Sequence, residues 1–111
     1  RDAGLPVQIS VEGRPRELPG SLDVSVYRIV QEALTNVLRH AGPAEARVVL
    51  RFRSNDVEVS VTDDGRGARA LDGPAGHGLA GMRERVVLLG GVFDARGPGG
   101  GGFEVRARFP L

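Results

Sequence analysis

The chain has 111 residues, 41% apolar and 26% charged, with no cysteine and a net charge of +1. That length suits one domain around one core, expected over residues 1–111, and the balance describes a folded globule rather than a disordered tail. It excludes disulfides and thiolate sites and gives no broad electrostatic attraction to nucleic acid or to a membrane surface. No apolar run approaches the roughly 20 residues of a membrane span. The opening Arg1-Asp2-Ala3-Gly4 has neither Met nor a signal-peptide pattern, so a soluble domain excised from a longer protein is expected. All fifteen basic residues are arginine. A P-loop and a protein-kinase site both place a lysine on phosphates, so both are excluded.

In chain order, Val7, Ile9 and Val11 alternate with Gln8, Ser10 and Glu12, the period of a strand with one buried face. A helix follows, with Tyr27, Val30, Leu34, Val37, Leu38 and Ala41 on one apolar stripe, a cap at Ser21 or Asp23, and a stop at Gly42-Pro43. Ala46, Val48, Leu50 and Phe52 alternate mostly with arginines, and Val57, Val59 and Val61 with Glu58, Ser60 and Thr62. Ser54-Asn55-Asp56 between these two strands predicts an antiparallel hairpin. After a glycine-rich stretch, Leu79, Met82, Val86 and Leu89 form the stripe of a second helix, ended by Gly90-Gly91. A short strand from Val92 to Arg96, a flexible run from Gly97 to Gly102 and a strand alternating through Phe103, Val105, Ala107 and Phe109 complete the chain. The expected fold is α+β: a two-layer sandwich whose mixed, mostly antiparallel sheet carries its helices on one face.

Three features carry chemistry. Asp63 keeps step with the buried valines of its strand, while Asp64 follows the exposed set. Asp63 is either a turn cap using nearby backbone N–H groups or a buried acceptor for a ligand donor, with Gly65 and Gly67 letting the backbone come close. Glu32, Asn36 and His40, spaced by four, form a ridge on the first helix roughly opposite its apolar stripe, with Ile29 and Ala33 alongside. Such a ridge is a solvated face in isolation. Beside Asp63 and the glycine loops, its carboxylate and amide one turn apart suit Mg²⁺ held partly through water. Gly76-His77-Gly78-Leu79-Ala80-Gly81 matches G-x-G-x-x-G, but an eight-residue loop, 68–75, precedes it, and the position 20 residues past Gly81 is Gly101, not an acid. A dinucleotide fold therefore fails. A glycine loop entering a helix still gathers N–H groups and the positive end of the dipole, which suits phosphates, with Mg²⁺, Arg39 and His77 to balance the charge.

VYRIVQEALTNVLRHA (Val26 to Ala41), VTDDGRGA (Val61 to Ala68), GHGLAGMRER (Gly76 to Arg85) and GGGFEVRARFP (Gly100 to Pro110) resemble the N, G1, G2 and G3 boxes of the Bergerat-fold, or GHKL, ATPases. The chain is more closely similar to the catalytic ATP-binding domain of bacterial two-component sensor histidine kinases of the nitrate-sensor and DesK-like class. The resemblance runs from Gly4 to Leu111 and rests on four boxes in the right order. It implies that Asn36 ligates Mg²⁺, that Glu32 works beside it through water or as a base, and that Asp63 accepts from the adenine amino group in a pocket shaped by Gly65 and Gly67. Gly76, His77, Gly78 and Leu79 would close the ATP lid on the phosphates, with Arg39 and His40 nearby. Where the family often has Thr after the last glycines, this chain has Phe103, so that hydroxyl is missing.

The function so implied is a protein-histidine kinase domain that binds Mg·ATP and donates the γ-phosphate to a histidine on a separate dimerisation domain, for relay to a response regulator in the cytoplasm. The intact sensor would be a homodimer and the isolated domain a monomer. An anti-sigma-factor serine kinase of the same fold and a nucleotide-binding pseudokinase are the alternatives; intact Glu32, Asn36 and Asp63 argue against the latter.

Overall fold

The computed structural model describes residues 6–40, 44–65, 74–96 and 102–111, with the side chains of 39, 40 and 74–78 outside that description. The elements are β1 (Val7–Gly13), α1 (Gly20–His40), β2 (Ala46–Phe52), β3 (Asp56–Asp63), α2 (Pro74–Leu88), β4 (Val92–Arg96) and β5 (Phe103–Pro110). They form one five-stranded sheet in the order β1-β2-β3-β5-β4. Only β1 and β2 pair in parallel. A parallel pair needs a crossover, and α1 supplies it. The α+β sandwich with a mixed, mostly antiparallel sheet and helices on one face is the fold the alternating segments predict.

Register explains the core. Val48, Val61 and Val105 lie side by side across β2, β3 and β5, as do Leu50, Val59 and Ala107, with Phe93 of β4 opposite Ala107. On this face α1 packs over β2 and β3, while α2 packs over β4 and β5. Leu22, Val26, Ile29 and Ala33 of α1 meet Leu79, Met82 and Val86 of α2 above the valines of β3. α2 ends in a Schellman motif: Gly91 N–H donates to Val86 O and Gly90 N–H to Val87 O, both at 2.9 Å. Gly90 has φ +77°, which a side chain would strain. The hairpin at residues 53–56 closes through Arg53 N–H to Asp56 O, 2.9 Å.

Four local expectations change. Of the expected stripe on α1, Tyr27 and Leu38 are exposed, Tyr27 by 65%, while Val30 and Leu34 are half-buried against the core and Val37 is buried. The main buried side is formed by Leu22, Val26, Ile29 and Ala33, none of them on that stripe. α1 has apolar residues round more than half its circumference, and the sheet takes the side that also carries Asn36. Asn36 of the expected ridge therefore flanks the core rather than opposing it, while Glu32 stays exposed. Neither Ser21 nor Asp23 caps α1, whose first bond runs from Asp23 N–H to Pro19 O at 2.9 Å; Asp23 lies in the first turn, where its charge complements the helix dipole. Ile9 and Val11 point to the helix-bearing face yet stay exposed, because the helices lie over the other four strands. Finally, α2 starts at Pro74, so Gly76 to Gly81 lie inside the helix rather than in a loop leading to it. Proline suits this first position because its missing N–H has no partner to lose there.

Among the described residues, no helix covers the other face of the sheet. Arginines of β2 and β5 stretch over the middle strand, so Glu58 and Ser60 of β3 are buried on a side where exposure was expected. Glu58 meets Arg51 at 3.0 Å, Arg53 at 3.3 Å and Arg106 at 3.9 Å. Arg51 also binds Glu12 at 2.9 Å, and Arg106 binds Glu104 at 2.8 Å.

Candidate functional site

Register brings four pieces of chain to one end of the sandwich. Ala46 at the start of β2 lies opposite Asp63 at the end of β3, and Asp63 lies opposite Phe103 at the start of β5. Val37 packs on Ala46, which places the last turns of α1 over this end. At the far end, Val92, just past α2, pairs with Arg108. α2 thus begins at the Asp63 end and runs antiparallel to α1.

Asp63 is half-buried on the helix-bearing face, as its phase predicts. Its Oδ1 accepts a hydrogen bond of 2.8 Å from Gly65 N–H, so the turn-capping role and the acceptor role coexist in one carboxylate. Burial pushes its pKa above the ordinary 3.8, the Gly65 N–H opposes that shift, and the neighbouring Asp64 charge adds to it. Asp64 is exposed and tied down: Glu45 N–H donates to its Oδ1 at 2.8 Å, and its own N–H reaches Glu45 O at 3.3 Å. On the helix-free side of this strand end, beside Asp64, a cleft of about 190 Å³ has Gln8, Arg47 and Thr62 on its walls.

Gly65 also ties the end of β3 to the start of β5, its carbonyl accepting from Gly102 N–H at 2.6 Å. Gly102 sits at φ +87°, and a Cβ there would come within 2.7 Å of Asp63 O. Only glycine allows both the left-handed backbone and that approach. Phe103 is buried in the main core beside Asp63, so the position where a hydroxyl is missing serves as an apolar wall.

Asn36 is 7% exposed, and its Nδ2 is a buried donor that finds no partner among the described residues. An unmet buried donor costs about 1–3 kcal/mol, a cost that an acceptor from outside the described residues would relieve. A ligand oxygen would satisfy Nδ2, and the same amide turned over would present Oδ1 to a cation. Glu32, one turn earlier, is exposed and lines a second cleft of about 200 Å³ between α1 and α2. Leu79 is buried in the core at the Asp63 end of α2. Gly76 and Gly78 lie in the first turns of α2, whose free N–H groups belong to that end. Gly67, residues 68–73, the run 97–101, and the side chains of Arg39, His40 and His77 lie outside the described residues.

The structure therefore brings the Asn36 turn of α1, Asp63, Gly65 and the first turns of α2 to one end of the molecule, while Glu32 and Gly81 line the cleft between the two helices. It also adds residues that the sequence reading missed. Arg28 and Arg85 share the α1–α2 cleft with Glu32. The four-residue spacing that picked out Glu32 and Asn36 also reaches back to Arg28, and forward from Gly81 to Arg85.

A half-buried acceptor at a strand end, an unsatisfied amide on a helix and a glycine-rich helix start on a two-layer α+β frame suit a nucleotide. The family described as histidine kinase-, DNA gyrase B-, and HSP90-like ATPase matches residues 22–111, and the chain belongs to it. The sensor histidine kinases LnrJ and YxjM of Bacillus subtilis (strain 168) are 34% and 37% identical over 100% and 98% of this chain. The chain spans 27% of the length of each. A blue-light activated histidine kinase of Erythrobacter litoralis EL346 superposes with a TM-score of 0.80 at 25% identity, over 99% of this chain and 36% of that one. Among the described residues, no helix is long and apolar enough to cross a membrane.

Proposed function

We propose that this domain, over residues 1–111, binds Mg·ATP and presents the γ-phosphate to a histidine on a separate dimerisation domain of the same sensor. The phosphoryl group then passes to an aspartate of a response regulator, in the cytoplasm. The observation that carries this reading is the buried Asn36 amide with its unmet Nδ2, set one turn from Glu32 on the helix that flanks the site.

Asp63 accepts from the adenine amino group through the oxygen not used by Gly65. Phe103 walls the base pocket, and the close Gly65–Gly102 contact holds the Asp63 turn in place. Asn36 and Glu32 would hold Mg²⁺, which supplies charge neutralisation to the phosphates. Glu32, exposed at the cleft, takes or orients a proton on the acceptor side. The remaining work is positioning, which is most of what phosphoryl transfer asks of a protein. Gly67, Gly76, His77 and Gly78, with Arg39 and His40, are assigned to the phosphate side of the site.

His40 and His77 are the only histidines in the chain, and both fall in the nucleotide motifs, so neither is the acceptor. Incubated with labelled ATP, the isolated domain is expected to bind nucleotide while accumulating no acid-labile phosphate. Mixed with a dimerisation domain from its own sensor, it should label that domain. Stable phosphate on His40 or His77 would contradict the reading.

A further inference from the structure

The third glycine of GHGLAG has no role in the account so far. Gly81 lies inside α2, where glycine costs helix stability relative to alanine. Among the described residues nothing crowds it: a Cβ built there would meet no atom within 4 Å. Close packing therefore does not call for a glycine at this position. Its effect is to leave an open floor in the cleft between α1 and α2, which is lined by Arg28, Gln31, Glu32, Gly81, Met82 and Arg85 and holds about 200 Å³.

Arg85 stands four residues beyond Gly81, on the same face of α2. Helical side chains lean toward the N-terminus of their own helix, so the Arg85 guanidinium reaches back over Gly81 toward the Asp63 end. Arg28, on the antiparallel α1, leans the other way, away from Asn36. Arg51, Arg53, Arg96 and Arg106 make all the ion pairs among the described residues. Arg28, Glu32 and Arg85 make none of them. The chain has no lysine, so any side-chain cation on a phosphate must be an arginine or a histidine. The planar guanidinium fork matches two phosphate oxygens.

Asn36 lies one turn from Glu32 on α1, and Glu32 lines the Gly81 cleft together with Arg85. A nucleotide whose phosphates are held at Asn36 and Glu32 sets its last phosphate beside this cleft. We infer that Arg85, reaching across the bare backbone of Gly81, is a binding residue for the terminal phosphate of ATP. The inference rests on the reading of this end of the molecule as the nucleotide site.

Dissociation constants for ATP and ADP, each with Mg²⁺, test it on the domain as it stands. Arg85→Gln should weaken ATP at least tenfold and leave ADP within twofold, and Arg85→Lys should recover part of the loss. Gly81→Leu, which enters open space and keeps a good helix former, should reproduce the ATP-selective loss by filling the cleft. Arg108→Gln, exposed on the helix-free face of β5, should leave the ATP to ADP ratio unchanged. An unchanged ratio in Arg85→Gln overturns the assignment, whether both affinities hold or both fall. Normal ATP binding by Arg85→Gln combined with failure to label an acceptor domain overturns it too, by giving the arginine to the protein substrate. Wild type binding neither nucleotide would sink the reading of the site itself, a result distinct from these.

Discussion

Asp63 holds the Gly65 N–H at 2.8 Å with one carboxylate oxygen, which fixes the turn and orients the other oxygen. Burial raises the pKa of this group above 3.8. In the unfolded chain the carboxyl keeps its ordinary value, so between the two values the folded state holds a proton that the unfolded state has lost. Stability without nucleotide should therefore fall as pH rises through that window, and the cost should persist above it. Asp63→Asn keeps an acceptor for Gly65, removes the charge, and should abolish this component of the pH dependence. Thermal melts of both proteins from pH 3 to 7 check this.

Ligand binding follows the opposite sign, because the adenine amino donor is best met by the ionised carboxylate. ATP affinity should drop as pH falls through the raised Asp63 pKa. Guanine places a carbonyl where adenine has its amino group, so GTP should bind at least tenfold more weakly than ATP, since an unpaired buried acceptor costs a few kcal/mol. Asp63→Asn should weaken ATP and narrow that gap. Competition titrations with the two nucleotides measure it; equal affinities in wild type would remove Asp63 from the base pocket.

Gly102 tests the link between the two strand ends. Gly102→Ala meets both a left-handed backbone and an approach of 2.7 Å to Asp63 O. It should cost about 1–3 kcal/mol and displace the Asp63 turn, so ATP affinity should fall along with stability. Gly90→Ala also sits at positive φ, but its Cβ would come no nearer than 3.8 Å to Pro110. It should cost only about 1 kcal/mol and leave affinity alone. Denaturant unfolding and nucleotide titration of the two variants separate the effects.

On the opposite face, Glu58 is enclosed by three guanidinium groups with its side chain 8% exposed, while its partners remain a third to a half exposed. Breaking a buried pair costs about 3–5 kcal/mol, discounted here because the arginines can turn to water. Glu58→Gln should lose about 1–3 kcal/mol in a denaturant melt and leave ATP affinity unchanged, because Glu58 and Asp63 lie on opposite faces of β3.

Alternation made the strands legible, since β2, β3 and β5 each bury one face against helices and a period of two follows directly. The phase of Asp63 was legible for the same reason. The phase of α1 was not. Tyr27, Leu34 and Leu38 make as good an apolar stripe as Leu22, Ile29 and Ala33, and only the meeting of α1 with β2 and β3 decides between them. That choice moves Asn36 from an outer ridge to the edge of the core. The burial of Glu58 was likewise hidden, because alternating Arg and Glu read as a solvated face until strand register lays Arg51 beside Glu58. The α1–α2 cleft depends on two helices far apart in sequence, so Arg28 and Arg85 carry no local signal that joins them.

The central claim is that the buried Asn36 amide exists for Mg·ATP. Nδ2 has no partner among the described residues, so Asn36→Ala removes an unmet donor along with its side-chain contacts. The two effects oppose each other at about 1–3 kcal/mol each. The decisive measurement is thermal stability of wild type and Asn36→Ala, each without ligand, with ATP, and with ATP and Mg²⁺. The account predicts melting temperatures within a few degrees for the two unliganded proteins, a Mg²⁺-dependent rise with ATP in wild type, and no Mg²⁺-dependent component in the variant. A variant that unfolds outright, or one that keeps the full Mg²⁺-dependent rise, would contradict it.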